Sequence, residues 1–122
     1  MKSIDVYNPG RDLTAVAATA ITAKRFVAIT GDRRDGNVVV GHATAAGRIA
    51  GVAAADAAKD ALVLLARGNA RVVKVTAGGP IAAFAEVEVG ADGKAVTAAS
   101  GRVVGYAITS AAPGADAQIS LA

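Results

Sequence analysis

The sequence predicts an all-β fold: a compact β-barrel or sandwich-like module built from two tandem-related halves, with an extended N-terminal arm. Three observations favour it. Short β-branched runs alternate with Gly, Asn and Asp about every 8 to 12 residues, as in strands joined by turns. One heptad recurs almost unchanged, and the turn dipeptide Asp-Gly occurs twice. At 122 residues, the chain fits an arm over residues 1–12 and a single β domain over 13–122.

The predicted arm lies outside the repeat, and the turn Asn8-Pro9-Gly10 separates it from the body. In an assembly, such an arm can add to the sheet edge of a neighbour through main-chain hydrogen bonds. The alternative, a frayed tail or an edge strand of its own subunit, stays open. Its candidate contact residues are Ile4, Val6, Tyr7 and Arg11.

The repeated heptad is Gly47-Arg48-Ile49-Ala50-Gly51-Val52-Ala53, which returns as Gly101-Arg102-Val103-Val104-Gly105-Tyr106-Ala107. It predicts a tandem duplication with copies over about 13–66 and 70–122, against the alternative of chance in a chain rich in Ala, Gly and Val. Glycines inside strand patterns often mark bulges, barrel corners or close backbone approaches. Two equivalent sets of glycines therefore fit a closed or nearly closed barrel.

Strand pairs precede each heptad. We align Phe26–Gly31 and its turn Asp35-Gly36 with Phe84–Gly90 and its turn Asp92-Gly93. Asp-Gly favours tight hairpins because both residues tolerate positive φ. The alternation of Glu86-Val87-Glu88-Val89 predicts that both glutamates face solvent.

Only the segment between the heptad and the end of the first half resembles a helix. It is rich in Ala, and we expect at most one helical turn near Ala53–Ala58. The run Leu62–Leu65 is expected to form a buried strand, because it corresponds to the strand-like end of the chain.

The composition favours self-association. Hydrophobic residues make up 53% of the chain, yet there is no Trp and only two Phe and two Tyr, so small side chains must fill the core. Burying subunit faces would add apolar area. Basic and acidic residues, 13 and 10, are interspersed without a basic block, which argues against nucleic-acid binding. No apolar run approaches the ~20 residues of a membrane span, so we expect an unexported protein without membrane contact.

No catalytic, cofactor or metal site is predicted. Cysteine is absent, and the lone histidine, His42, is interpreted as a satisfied strand residue rather than a base or ligand. The carboxylate pairs Asp32/Asp35 and Glu86/Glu88 are interpreted as a charged hairpin tip and a solvent-facing strand. A lipoyl-type carrier is disfavoured because its exposed lysine pattern is missing at the Asp-Gly turns. We therefore expect a protein that is not an enzyme.

The order of arm, Phe-containing strand, heptad, Gly78-Gly79-Pro80-Ile81, second heptad and terminal strand resembles the capsid decoration, or cement, proteins of tailed bacteriophages. The resemblance implies a structural virion protein that binds the outer surface of an assembled capsid and stabilises it, without a cofactor. Its partner would be the major capsid protein, its oligomer a trimer, and its origin the host cytoplasm. The arm would be the latch, touching capsid or sister subunit. The alternative is another β-structured phage tail, fibre or surface-binding module without catalytic activity.

Overall fold

The all-β prediction is confirmed by the computed structural model, which describes residues 6–7 and 10–122. The strands are β1 Leu13–Ala17, β2 Phe26–Arg34, β3 Asn37–His42, β4 Gly51–Ala53, β5 Leu62–Ala66, β6 Val72–Thr76, β7 Glu86–Val89, β8 Ala95–Thr97, β9 Gly105–Ala107 and β10 Asp116–Leu121. A short 3-10 turn, Ala91–Gly93, joins β7 to β8. Within the described residues, no helical segment has the length and hydropathy of a membrane span.

The first five strands close into a barrel in the order β1-β3-β2-β4-β5, with β5 paired back to β1. β1 runs parallel to β3, and the other neighbours are antiparallel. Alternation along the strands turns small apolar side chains inward, because successive residues point to opposite faces. These are Leu13, Ala15, Ala17, Ile21, Val27, Val38, Val40, Ala53, Val63 and Leu65. Few large side chains fit inside so small a barrel.

The second sheet repeats the pairing pattern of the first. Its order is β6-β10-β9-β7-β8, so β6, β7, β8, β9 and β10 pair as β1, β2, β3, β4 and β5 do. The β1–β3 ladder is represented by one parallel bridge between Ala77 and Ala95. A bridge between Ile81 and Ala111 matches that between Ile21 and Ala57. The two halves therefore have one pairing pattern, and the duplication of 13–66 as 70–122 stays a prediction.

Residues of the first half complete the core of the second. The cluster inside the second sheet includes Phe26, Ala43 and Val52 of the first half, packed with residues such as Val87 and Ile119. Backbone hydrogen bonds also cross the junction: the Thr76 N–H donates to the carbonyl of Lys24 at 2.9 Å, and the Ala46 N–H donates to that of Val89 at 2.9 Å.

The predicted Asp-Gly turns are confirmed. Asp35 and Gly36 have φ of 52° and 82°, and Asp92 and Gly93 have φ of 56° and 72°. Arg34 pairs with Asn37, so the first dipeptide forms a two-residue hairpin loop.

The heptad glycines lie where backbones approach closely, as predicted. A Cβ on Gly51 would lie 2.6 Å from the carbonyl oxygen of Ala66. At the equivalent place in the second half, a Cβ on Gly105 would overlap the carbonyl oxygen of Ser120. The space beside β5 and β10 therefore requires glycine at this position in both copies of the heptad.

The alignment of Phe26 with Phe84 was wrong by two residues. Phe26 pairs with Val52 of the first heptad, whereas Glu86 pairs with Tyr106 of the second, so the equivalent of Phe26 is Glu86. Phe26 is fully buried and Phe84 is 78% exposed. The second half therefore carries an aromatic ring on its surface.

Of two expectations for the end of the first half, that of at most one helical turn is met, and that of a buried strand needs correction. There is no helical turn at Ala53–Ala58: β4 ends at Ala53, and Ala57 instead forms its bridge with Ile21. Residues 62–65 do form a strand, but Leu62 and Leu64 are exposed while Val63 and Leu65 are buried. Only one face of β5 meets the barrel interior, so the run is half-buried.

Candidate interaction surfaces

Tyr7 of the predicted arm packs on its own subunit. Its hydroxyl accepts a hydrogen bond of 2.6 Å from Nη1 of Arg33, at the tip of the β2–β3 hairpin. The guanidinium carbons of Arg33 and Arg67 lie 5.3 and 5.5 Å from the ring centroid, within range of cation–π attraction. Val6, its neighbour, is 74% exposed. Tyr7 therefore anchors this part of the arm and leaves Val6 accessible.

The end of the arm packs against the segment that joins the halves. The carboxylate of Asp12 accepts a hydrogen bond of 2.5 Å from Arg71. A Cβ on Gly68 would lie 2.7 Å from the Cα of Gly10, so the two backbones cross in close contact. Arg11, between Gly10 and Asp12 in the sequence, is exposed. Of the other candidate contact residues, Ile4 lies outside the described residues.

His42 is the satisfied strand histidine that the sequence predicts. Its Nε2 accepts a hydrogen bond of 3.0 Å from the backbone N–H of Thr22. Partial burial and then the nearby charge of Arg25 lower its pKa from the ordinary 6.5, and the charge of Asp92 opposes them. The neutral ring that accepts this bond is thus the form that the fold favours.

The carboxylate pairs do not converge on a site. Glu88 does not face solvent as predicted: it is buried, and its Oε1 accepts a hydrogen bond of 2.7 Å from the Ala99 N–H. The second face of β7 is covered, because Gly101 packs against Glu88 and against Ala46 of the first half. Glu86 is exposed, as are Asp32 and Asp35 at the hairpin tip. Within residues 6–7 and 10–122, no three His, Asp or Glu side chains group as metal ligands would.

An apolar groove of about 410 Å³ lies on the second half. Phe84, Val103 and Tyr106 line it and are 78%, 41% and 47% exposed. Phe84 has φ of 69°, in the left-handed region that a bulky residue rarely adopts. A strained and exposed aromatic residue indicates a role outside the core. Phe84 is not among the predicted contact residues, although Ile81 and Glu86 have the spacing of Ile21 and Phe26, a signal that gives the correct alignment.

The comparisons with known proteins bear on these surfaces. The family model described as phage cement protein matches residues 7–121, nearly the whole chain. The chain belongs to the phage cement protein family. No curated protein matches it.

This cement protein is also similar to a solved structure, the head fibre gp8.5 N base in bacteriophage phi29. The two sequences are 26% identical, the match covers 92% of this chain and 93% of that one, and the TM-score is 0.78. The predicted family is thereby confirmed, and the protein is a structural, capsid-binding component of the phage virion.

Proposed function

We propose that this cement protein binds the outer surface of the assembled shell through the major capsid protein, after synthesis in the host cytoplasm, and has no catalytic role. The observation that carries the proposal is the family match over residues 7–121. A protein that binds only the assembled lattice shifts the equilibrium toward that lattice, which stabilises the shell against disassembly.

The experiment adds purified protein to capsids of the encoding phage that lack it. We expect the protein to co-sediment with mature shells at a fixed stoichiometry and to raise the temperature at which the shells release DNA. Equal binding to unassembled capsid protein would contradict the mass-action mechanism.

We further propose a homotrimer whose subunits meet at the apolar groove. Support comes from the small side chains of the core and from the exposure of Phe84, Val103 and Tyr106. Several copies at one lattice site would add avidity. Light scattering should give the trimer mass for the wild type and the monomer mass for Tyr106→Glu.

Leu62→Asp is the matched control for that substitution. Leu62 is also an exposed apolar residue, at 62%, and its equivalent in the second half is already Asp116. The control should keep the trimer. A wild-type monomer at micromolar concentration would refute the trimer, and a trimeric Tyr106→Glu would place the subunit contact elsewhere.

The arm is proposed as a latch on the capsid or a sister subunit, through Ile4, Val6, Tyr7 and Arg11. Support comes from Val6, which stays exposed next to the anchored Tyr7. Removal of residues 1–12 should leave the fold intact, with a stability loss from the Asp12–Arg71 ion pair and the contacts of Tyr7 with Arg33 and Arg67, and should reduce capsid occupancy. Unchanged occupancy of the truncated protein would refute the latch.

A second candidate function is the base of a head fibre. The specific observation in its favour is the likeness to the phi29 head fibre N base over 92% of the chain. Electron cryomicroscopy of virions distinguishes the two: a fibre base carries projecting density beyond the β module, whereas a cement protein ends at that module.

A further inference from the structure

The two copies of the repeated heptad meet on the surface. Arg48 and Ile49 of the first copy and Arg102 and Val103 of the second line one depression of about 320 Å³. Both arginines are exposed. A second depression of about 320 Å³ continues from Arg48 along Ile49 to Ile29, which is 58% exposed. Two guanidinium groups therefore lie among apolar side chains on one continuous face, which we call the heptad face.

Among the described residues, these two arginines have no internal partner. Neither guanidinium has a hydrogen bond or ion pair with any part of the chain that the structure describes. Most other arginines are engaged: side-chain hydrogen bonds are donated by Arg25, Arg33, Arg34 and Arg71. No carboxylate side chain lines either depression. The heptad face thus presents two positive charges that no carboxylate side chain lining it neutralises.

The backbone that carries the pair is fixed. The Arg102 N–H donates to the carbonyl of Ala46 at 3.1 Å, and the Ala46 N–H donates to that of Val89 at 2.9 Å. Gly101, next to Arg102, has no space for a side chain, because a Cβ there would lie 2.6 Å from that of Ala46. A partner would have to order only the two arginine side chains, and such pre-organisation lowers the cost of binding.

We propose that Arg48 and Arg102 together bind an acidic segment of the capsid protein surface, with Ile49 and Ile29 covering apolar residues beside it. Guanidinium groups bind carboxylates in a bidentate geometry that lysine cannot reproduce. The occupant is argued from charge complementarity. A protein is favoured over nucleic acid because neither depression is lined by an aromatic ring on which a base could stack. This inference rests on the proposed capsid-binding function and locates its contact.

The test measures co-sedimentation with mature capsids for the wild type and for Arg48→Glu, Arg102→Glu and the double variant. Each reversal should weaken apparent affinity about 10-fold or more, since a charge-assisted hydrogen bond is lost and a repulsion added. Raising ionic strength from about 0.05 M to about 0.5 M should weaken the wild type and, because salt screens the added repulsion, strengthen the residual binding of the double variant. The double variant Lys59→Glu/Lys74→Glu is the control, because it alters net charge equally at exposed positions outside the heptads.

The outcomes separate this inference from the function on which it rests. If the wild type fails to bind capsids, both are overturned. If the wild type binds and the arginine double variant binds like the lysine control, only the heptad face is excluded. A changed oligomer mass with normal capsid occupancy would assign the pair to a subunit contact, and binding of free double-stranded DNA by the wild type that the double variant loses would assign it to nucleic acid. Either would overturn the inference.

Discussion

The two halves of the molecule have the same strand order but different closure. In the first half, β1 and β3 form a parallel ladder of three residue pairs, and the barrel encloses its own core. In the second, one bridge between Ala77 and Ala95 stands in for that ladder, and Phe26, Ala43 and Val52 of the first half complete the core. One strand pattern can therefore yield a self-contained barrel or a sheet that depends on its neighbour.

Equivalent surface positions differ as much as the cores do. Lys24 and Phe84 occupy the same turn, with φ of 61° and 69°, and their backbone N–H groups donate to Ala53 and Ala107 respectively. Lys24 uses its side chain within the subunit, in an ion pair of 2.8 Å with Asp116 of the second half. Phe84 exposes its ring. The first copy thus supports the junction between the halves, while the second offers an apolar surface to a partner.

The largest expected effect concerns the cooperativity of the two cores. Leu65 and Ile119 are equivalent and fully buried, one in each core. Leu65→Ala and Ile119→Ala should each lower the free energy of unfolding by about 2–5 kcal/mol, from lost burial and the cavity left behind. Because Phe26, Ala43 and Val52 of the first half complete the core of the second, each variant should still unfold in one transition by calorimetry and circular dichroism. Two separate transitions would show that the halves are independent.

The second-largest expected effect is a difference in stability between alanine substitutions at the first glycine of each heptad. A Cβ on Gly101 would overlap Glu88 and Ala46, whereas a Cβ on Gly47 would lie 3.0 Å from the carbonyl oxygen of Thr44. Gly101→Ala should cost about 1–3 kcal/mol, as overpacking does. Gly47→Ala should change stability by less than about 1 kcal/mol, because the smaller chain entropy of unfolded Ala offsets the tight contact. Equal costs in urea titrations would contradict the packing difference at the junction.

The sequence predicts those features of this comparison that depend on local chemistry. The Asp-Gly turns follow from the φ values that their residues tolerate, and the heptad glycines from the need for close approach. Features set by the other half could not be predicted. Glu88 alternates as an exposed residue should, and it is buried only because Ala46 and Gly101 cover that face. Residue propensity gives no reason to expect Phe84 at positive φ. The heptad face could not be predicted either, because Arg48 and Arg102 are distant in sequence and come together only where the two halves meet.

A smaller effect is expected at the turn that Lys24 and Phe84 occupy, where one substitution distinguishes backbone strain from a role in assembly. Phe84→Gly should leave the stability of the subunit unchanged or raise it by up to about 1 kcal/mol, because relief of left-handed strain exceeds the entropy of the unfolded glycine. The same variant should weaken the proposed trimer. Lys24→Gly, the matched change, removes the exposed Asp116 ion pair and should leave the trimer intact. Thermal unfolding and light scattering measure both; a clear loss of stability in Phe84→Gly would show that the ring packs within the subunit.

The smallest effect is a pH dependence confined to the first half. His42 pairs with Val27 as Thr97 pairs with Val87, so His42→Thr gives the first half the residue of the second. The fold lowers the pKa of His42, chiefly by burial, so the unfolded chain binds the proton more readily than the folded one. The contribution of the neutral His42 to the free energy of unfolding is complete above pH 6.5, the ordinary pKa, and declines as pH falls from there toward the lowered pKa. The wild type should therefore lose slightly more stability than His42→Thr between about pH 7 and pH 5 in urea titrations. Parallel curves for the two proteins would mean that the fold does not lower the pKa of His42.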